Sequence, residues 1–305
     1  MDQVMSVTGP VAASTLGMTL THEHIFINLM REYRGDGLLH DVQLMCDEVQ
    51  RFGRAGGGTI IDCTTEELGR NPEGLKRISE ATGVKIVMGT GHYRDPYLDR
   101  SWFDRTSASA IADLMITEVT EGIGGTAIKA GIIGEIGADK WFVSTAEERS
   151  FRAAALTQRR TGLTITTHAA RWPVGREQFR ILIEAGAEPN RIIIGHCDTV
   201  PDTEYHEEIA RGGSYVQFDS IQGDSAYQTE RVKDYVLNLF RKGFGDKILL
   251  SHDVCLTSNL SVYGGCGYDF IPVQFLPMLK EKGLAADDIE MMMVENPRRA
   301  LTGAR

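Results

Sequence analysis

The chain has 305 residues with 32 Lys plus Arg against 42 Asp plus Glu, a formal charge of −10 with neutral histidines, and this acidic balance argues against nucleic-acid binding, which needs clustered cations. Hydrophobic residues at 42% and charged residues at 24% are ordinary globular values; no apolar run approaches the roughly 20 residues that span a bilayer, and Met1–Thr19 lacks the features of a signal peptide, so a cytoplasmic protein without membrane contact is expected. Five cysteines (Cys46, Cys63, Cys197, Cys255, Cys266) without CxxC spacing speak against a disulfide framework or a thiolate zinc site. In chain order, a short β-rich run at Met18–Thr21 is followed by helical periodicity over Leu44–Ala55. The alternation then repeats: Thr59–Cys63 and Glu73–Thr82, Lys85–Gly89 and Ala108–Glu121, Ile128–Ile133 and Ala146–Thr161. It continues with Leu163–Thr167 and Glu177–Ala185, Arg191–Gly195 and Glu204–Arg211, Ser214–Phe218 and Thr229–Lys242, and ends on a strand at Lys247–Ser251. Glycines at 83, 162 and 212–213 close three of the helices, where a C-cap wants positive φ. Eight strands alternating with helices predict a parallel sheet, and the count of eight predicts a single-domain (β/α)₈ TIM barrel over residues 1–305. An open doubly wound sheet is the alternative, but no GxGxxG follows the first strand.

Polar residues gather at the predicted strand ends. Thr21-His22-Glu23-His24 follows strand 1, Gly134-Glu135 strand 4, His168 strand 5, His196 strand 6 and His252-Asp253 strand 8. In a parallel barrel all these ends open on one face. His22 and His24, two apart on an extended segment, share a side while Glu23 points away. Four imidazoles and two carboxylates suit zinc and similar divalent ions. Six ligands exceed one tetrahedral ion, so the pattern points to two metals and a shared carboxylate, with zinc, manganese and cobalt all compatible.

These residues, with Gly9-Pro10, Leu20, Thr90-Gly91-His92-Tyr93, Gly195-His196 and Glu295-Asn296-Pro297, make the chain resemble the phosphotriesterase-related branch of the amidohydrolase superfamily. The resemblance implies that His22, His24 and Asp253 hold a more buried metal and His168 and His196 a more exposed one, with a strand-4 residue bridging. Many members bridge with a carbamylated lysine where this chain has Gly134; Glu135 resembles the glutamate bridge of the phosphotriesterase homology group. Period-2 alternation would turn Glu135 outward unless the strand bulges, which leaves Lys129 and Lys140 as alternatives. Efficient phosphotriesterases carry a proton relay of His after strand 7 and Asp after strand 6, where this chain has Ser220 and Thr199. A homodimer is also implied.

The chemistry expected of such a centre is attack by a bridging hydroxide on a carbonyl, with Asp253 as catalytic proton acceptor and donor. Tyr93 matches a family position that contacts substrate, and Arg94 and Arg171, in loops after strands 3 and 5, are candidate partners for an anionic group. His92 and His252 read as structural, and His40 and His206 as exposed residues on helical stretches. Asn259–Tyr268, with Gly264, Gly265 and Gly267, reads as a mobile lid or a static turn, and Gly56–Gly58 as a helix terminator. The reading is a binuclear metal-dependent hydrolase of a small carboxylic ester or lactone. Amide hydrolysis of the N-acyl amino acid type, weak phosphotriesterase activity and a catalytically silent ligand-binding barrel are the alternatives.

Overall fold

A computed structural model describes residues 2–304. Eight parallel strands run in sequential order around one sheet: β1 (Met18–Glu23), β2 (Gly57–Asp62), β3 (Lys85–Thr90), β4 (Ile132–Gly137), β5 (Ile165–His168), β6 (Ile192–Ile194), β7 (Tyr215–Phe218) and β8 (Ile248–Leu250). Helices α1 (Val42–Arg54), α2 (Pro72–Thr82), α3 (Ala108–Thr120), α4 (Thr145–Thr161), α5 (Gly175–Glu184), α6 (Thr203–Arg211) and α7 (Ala226–Arg241) cover the outside. The predicted TIM barrel is therefore the observed architecture.

Period-2 burial separates two apolar layers. Ile61, Val87, Ile132, Ile193 and Leu249 fill the barrel interior, while their neighbours Ile60, Ile86, Met88, Ile133, Ile192, Ile194 and Leu250 pack outward against the helices. An antiparallel hairpin (Gln3–Ser6 with Gly9–Ala12) and the helix Asn296–Thr302, neither anticipated from sequence, close the lower end through Val4, Ala300 and Leu301. Buried Asn296 donates its side-chain amide to the carbonyls of Gly245 and Ile248 at 2.8 and 2.9 Å, tying that helix to the entry of β8. No helix among the described residues is long and apolar enough to cross a membrane.

Two details position the upper face. The seam between β8 and β1 is held largely by Glu23, whose carboxylate accepts from Ser251 Oγ (2.8 Å), His252 N (2.8 Å), His252 Nδ1 (2.9 Å) and Val254 N (2.9 Å). In β4 the pairing with β5 steps from Ile133↔Ile165 to Ile136↔Thr167, three residues against two. This one-residue bulge turns Glu135 inward, as the bridge reading requires. Gly134 permits it: φ is +125°, and a Cβ there would lie 2.2 Å from the Thr166 carbonyl oxygen.

Several expectations are corrected. Strand 4 begins at Ile132 rather than Ile128, because the buried apolar residues Ile128 and Ala130 belong to the preceding loop. His206 is buried, not exposed; its Nε2 lies 2.7 Å from the Cys197 carbonyl oxygen, and α6 packs it beneath the loop after β6. His40 is exposed but precedes α1 instead of lying on it. Of the lid and static-turn readings for Asn259–Tyr268, the turn fits: Glu48 on α1 accepts from Ser261 N, Ser261 Oγ and Val262 N, and Gly267 N–H closes on the Asn259 carbonyl.

Candidate metal centre

The strand ends bring His22, His24, Glu135, His168, His196 and Asp253 to one cluster. Glu135 Oε2 lies 3.3 Å from His22 Nε2 and 3.2 Å from His168 Nδ1, while Oε1 lies 3.4 Å from His24 Nε2. His196 Nε2 is 2.8 Å from His168 Nδ1 and 3.6 Å from Glu135. Asp253 Oδ1 stands 3.3 Å from His24 Nε2 and 3.9 Å from His22 Nε2. Three groups able to hold a metal ion overlap here, His22/His24/Glu135, Glu135/His168/His196 and His22/His196/Asp219, with Glu135 common to the first two. Ligands set tetrahedrally around an ion at about 2.0–2.1 Å lie about 3.3 Å apart, the spacing of these donors. One atom carries the test of fit: buried His22 Nε2 has no hydrogen-bond partner. Such an orphan is costly unless a cation takes its lone pair.

Outer contacts fix three of the four rings. His24 Nδ1 meets Thr64 Oγ1 at 2.9 Å, so Nε2 faces the centre. Asp219, directly after β7, reaches two rings: His196 Nδ1 at 2.7 Å and His22 Nδ1 at 3.3 Å, the latter shared with Gln217 Oε1 at 3.3 Å. Asp62 accepts from Ile25 N and Thr64 N, joining the loops after β1 and β2. Sequence reasoning missed Asp219, Gln217, Thr64 and the seam role of Glu23. The rule that found the histidines, polar residues at the C-terminal ends of strands, applies equally to Asp219.

The electrostatics favour a bound cation. Burial opposes the charged form of His24, but Asp253 and Glu135 outweigh it and push its pKa up to about 9. Burial likewise opposes the His196 cation, and Asp219 and Glu135 raise its pKa to about 10. Burial works against the Glu135 carboxylate too, yet His22 and His168 hold its pKa well below the usual range. Burial and the neighbouring His196 lower His168, which favours its neutral ring.

Above the cluster lies a cavity of about 160 Å³, lined by Tyr93, Arg94, Arg171, Thr199, Ser220, Cys255 and apolar Ile27 and Leu29 among others. Tyr93 is buried with its hydroxyl 3.2 Å from His168 Nδ1, and burial raises its pKa, so it remains a hydrogen-bond donor. Arg94 is clamped by Glu32 at 2.5 Å and Asp139 at 3.0 Å, whereas Arg171 is exposed at the rim. No lysine lines the cavity; Lys140 pairs with Asp95 at 3.6 Å and Lys129 precedes β4. His92 pairs with Glu67 at 2.5 Å against Trp102 and Phe103, in keeping with a structural role.

A profile of the Phosphotriesterase family matches residues 2–301. The phosphotriesterase homology protein of Escherichia coli (strain K12) is 34% identical over 282 residues, covering 92% of this chain and 96% of that protein. The N-acetyltaurine hydrolase of Salmo salar is 29% identical, covering 98% of each. The crystal structure of a lactonase from Listeria monocytogenes superposes with a TM-score of 0.92 at 28% identity, covering 99% of this chain and 100% of that one. With the barrel, the six converging His, Glu and Asp side chains and these similarities together, the chain belongs to the Phosphotriesterase family of metal-dependent hydrolases.

Proposed function

We propose that this protein hydrolyses a small carboxylic ester or lactone at a binuclear, zinc-loaded centre bridged by Glu135. The observation that carries the reading is the inward turn of Glu135 at the β4 bulge, which sets one carboxylate within 3.2–3.6 Å of four imidazoles. His22, His24 and Asp253 would hold one ion and His168 and His196 the other. Two divalent ions bound there supply Lewis acidity and lower the pKa of water toward about 7. The protein's own groups do the rest. Burial disfavours the Asp253 carboxylate, but His24, His196 and His22 overcome it and hold its pKa below the ordinary value. It therefore stands ionised at the cavity floor, able to accept the proton of the attacking water and return it to the leaving oxygen. The Tyr93 hydroxyl is a donor aimed at the same space, suited to a developing oxyanion. A cavity of about 160 Å³ suits a small acyl group.

Amide hydrolysis is the second reading, favoured by relatives named N-acetyltaurine hydrolase that match over nearly the whole chain. The same Asp253 would then protonate a leaving nitrogen. Metal analysis followed by turnover of matched lactones, esters and amides tests both. We expect about two ions per chain and highest kcat/KM on a lactone or ester; His22→Ala and Asp253→Ala should abolish turnover. One ion per fully active chain overturns the binuclear reading, and faster amide turnover replaces the first substrate class with the second. The homodimer implied by the resemblance is checked by sedimentation velocity.

A further inference from the structure

We infer that Arg171 is a specificity residue that recognises an anionic oxygen group, a carboxylate or sulfonate, on the acyl substrate; the inference rests on the hydrolase reading above. Two guanidiniums line the cavity and their surroundings differ. Arg94 is buried, held between Glu32 and Asp139, and lies over the rings of Tyr93 and Tyr97 at 5.1 and 5.3 Å. Its charge is already neutralised twice, so an incoming anion would have to compete with two fixed carboxylates. Arg171 lines the same cavity from the exposed rim. Among the described residues, no carboxylate lies within ion-pair distance of its guanidinium, and its backbone N–H supplies its one hydrogen bond.

The backbone at Arg171 is an independent sign. Its φ is +71°, a conformation that side chains other than glycine rarely adopt and that clusters at functional sites. Among the described residues only Arg34, Arg171, His196 and Asp253 share this property outside glycine. His196 and Asp253 belong to the candidate centre, and Arg171 stands on the wall directly above it. The strained turn is held by a designed contact: Arg171 N–H donates to Thr199 Oγ1 at 2.7 Å, and Thr199 Oγ1 donates to the His196 carbonyl at 2.7 Å. Thr199 thus couples the Arg171 turn to a metal-cluster residue, where the carboxylate of a relay aspartate would instead compete for the guanidinium. A free, planar guanidinium over a small cavity accepts a carboxylate or sulfonate bidentately. The cavity is small enough that such a group would sit only a few bonds from the reacting carbonyl.

Calorimetric titration of the metal-loaded protein with glutarate and with valerate isolates the second anionic group on a five-carbon chain. Glutarate should bind more tightly than valerate by about 10- to 100-fold, the worth of one charge-assisted contact. Arg171→Met should bring the two Kd values to near parity, and Arg171→Lys should restore part of the ratio, because lysine keeps the charge but not the fork. Equal binding of the two acids by the wild type, or a glutarate preference that survives Arg171→Met, overturns the inference. Neither measurement depends on turnover. A protein that keeps the Arg171-dependent preference yet hydrolyses no ester, lactone or amide would uphold anion recognition and refute the hydrolase reading alone.

Discussion

Replacing Asp219 with Asn should weaken metal binding by about 10- to 100-fold, toward the upper figure, without unfolding the barrel. The magnitude follows from what its two oxygens touch. Oδ1 is 2.7 Å from His196 Nδ1, a short charge-assisted contact, and both oxygens also receive the His196 backbone N–H at 3.1 and 3.0 Å. Oδ2 is 3.3 Å from His22 Nδ1. Asn keeps the shape but offers one carbonyl oxygen and turns an amide donor toward the other ring. One imidazole therefore loses its contact with residue 219 and both lose the negative charge that makes them basic. Loss of one such outer contact typically costs at least tenfold in metal affinity, about 1.4 kcal/mol, and disturbing two rings approaches 100-fold, about 2.7 kcal/mol. Gln217→Met is the internal control: His22 keeps Asp219 on the same nitrogen, so the loss should stay near tenfold or less. Competition with a chromophoric chelator measures affinity, and thermal melting of the chelated protein checks the fold. Affinity unchanged in an Asp219→Asn variant that melts like the wild type would falsify the argument that Asp219 orients the ligands.

Three further outcomes are expected. If Glu135 is the bridge, as its place in both ligand groups and the lack of a cavity-lining lysine among the described residues favour, reconstitution of the metal-free protein should be indifferent to bicarbonate; a strong requirement would point to a carbamylated lysine. With Ser220 and Thr199 in place of a relay, and Thr199 hydrogen-bonded to Arg171 and His196, kcat/KM for a paraoxon-type phosphotriester should fall below that of the best ester, lactone or amide; the reverse order refutes this. The metal-free protein should lose stability in alkali: His24 rises from 6.5 to about 9 and His196 to about 10 on folding. A raised folded-state pKa stabilises fully below 6.5 and progressively less as pH climbs through 9 to 10. Melting temperatures with and without chelator check it, and a chelated protein whose stability stays level across that window contradicts it.

The barrel was legible because each strand is a short β-branched run with helical periodicity on either side, and this pattern survives in every unit from Met18 to Leu250. Boundaries slipped where apolar burial continued outside the ladder, as at Ile128 and Ala130. The helical segments after β8 carry Pro272, Pro277 and Pro297 and fall into short pieces, so no long apolar stripe marks them. The N-terminal hairpin has four-residue strands, too short for alternation to stand out. In the site, histidine advertises itself because it is scarce, with 8 in the chain. Asp219 did not, since an aspartate after a strand reads as a turn residue among 42 acidic ones. Glu135 required geometry that no periodicity contains, the extra residue in β4. For Arg94 and Arg171 the sequence shows two equivalent loop arginines; only the partners Glu32 and Asp139 tell them apart.

Glu23 welds the first barrel strand to the last, and the cluster itself spans that same join, from His24 to Asp253, 229 residues later. A ribosome adding about 5–20 residues per second needs about 10–50 s to cover that distance. Throughout that interval the nascent chain offers a metal ion its two early imidazoles but neither the Asp253 carboxylate nor the lock that sets β1 in place. The finished centre therefore cannot form before residue 253 has been made, and metal loading waits for the eighth strand. With Asp253 as the proposed proton acceptor, a chain that stops before residue 253 lacks that group, so hydrolysis would await the end of the eighth strand.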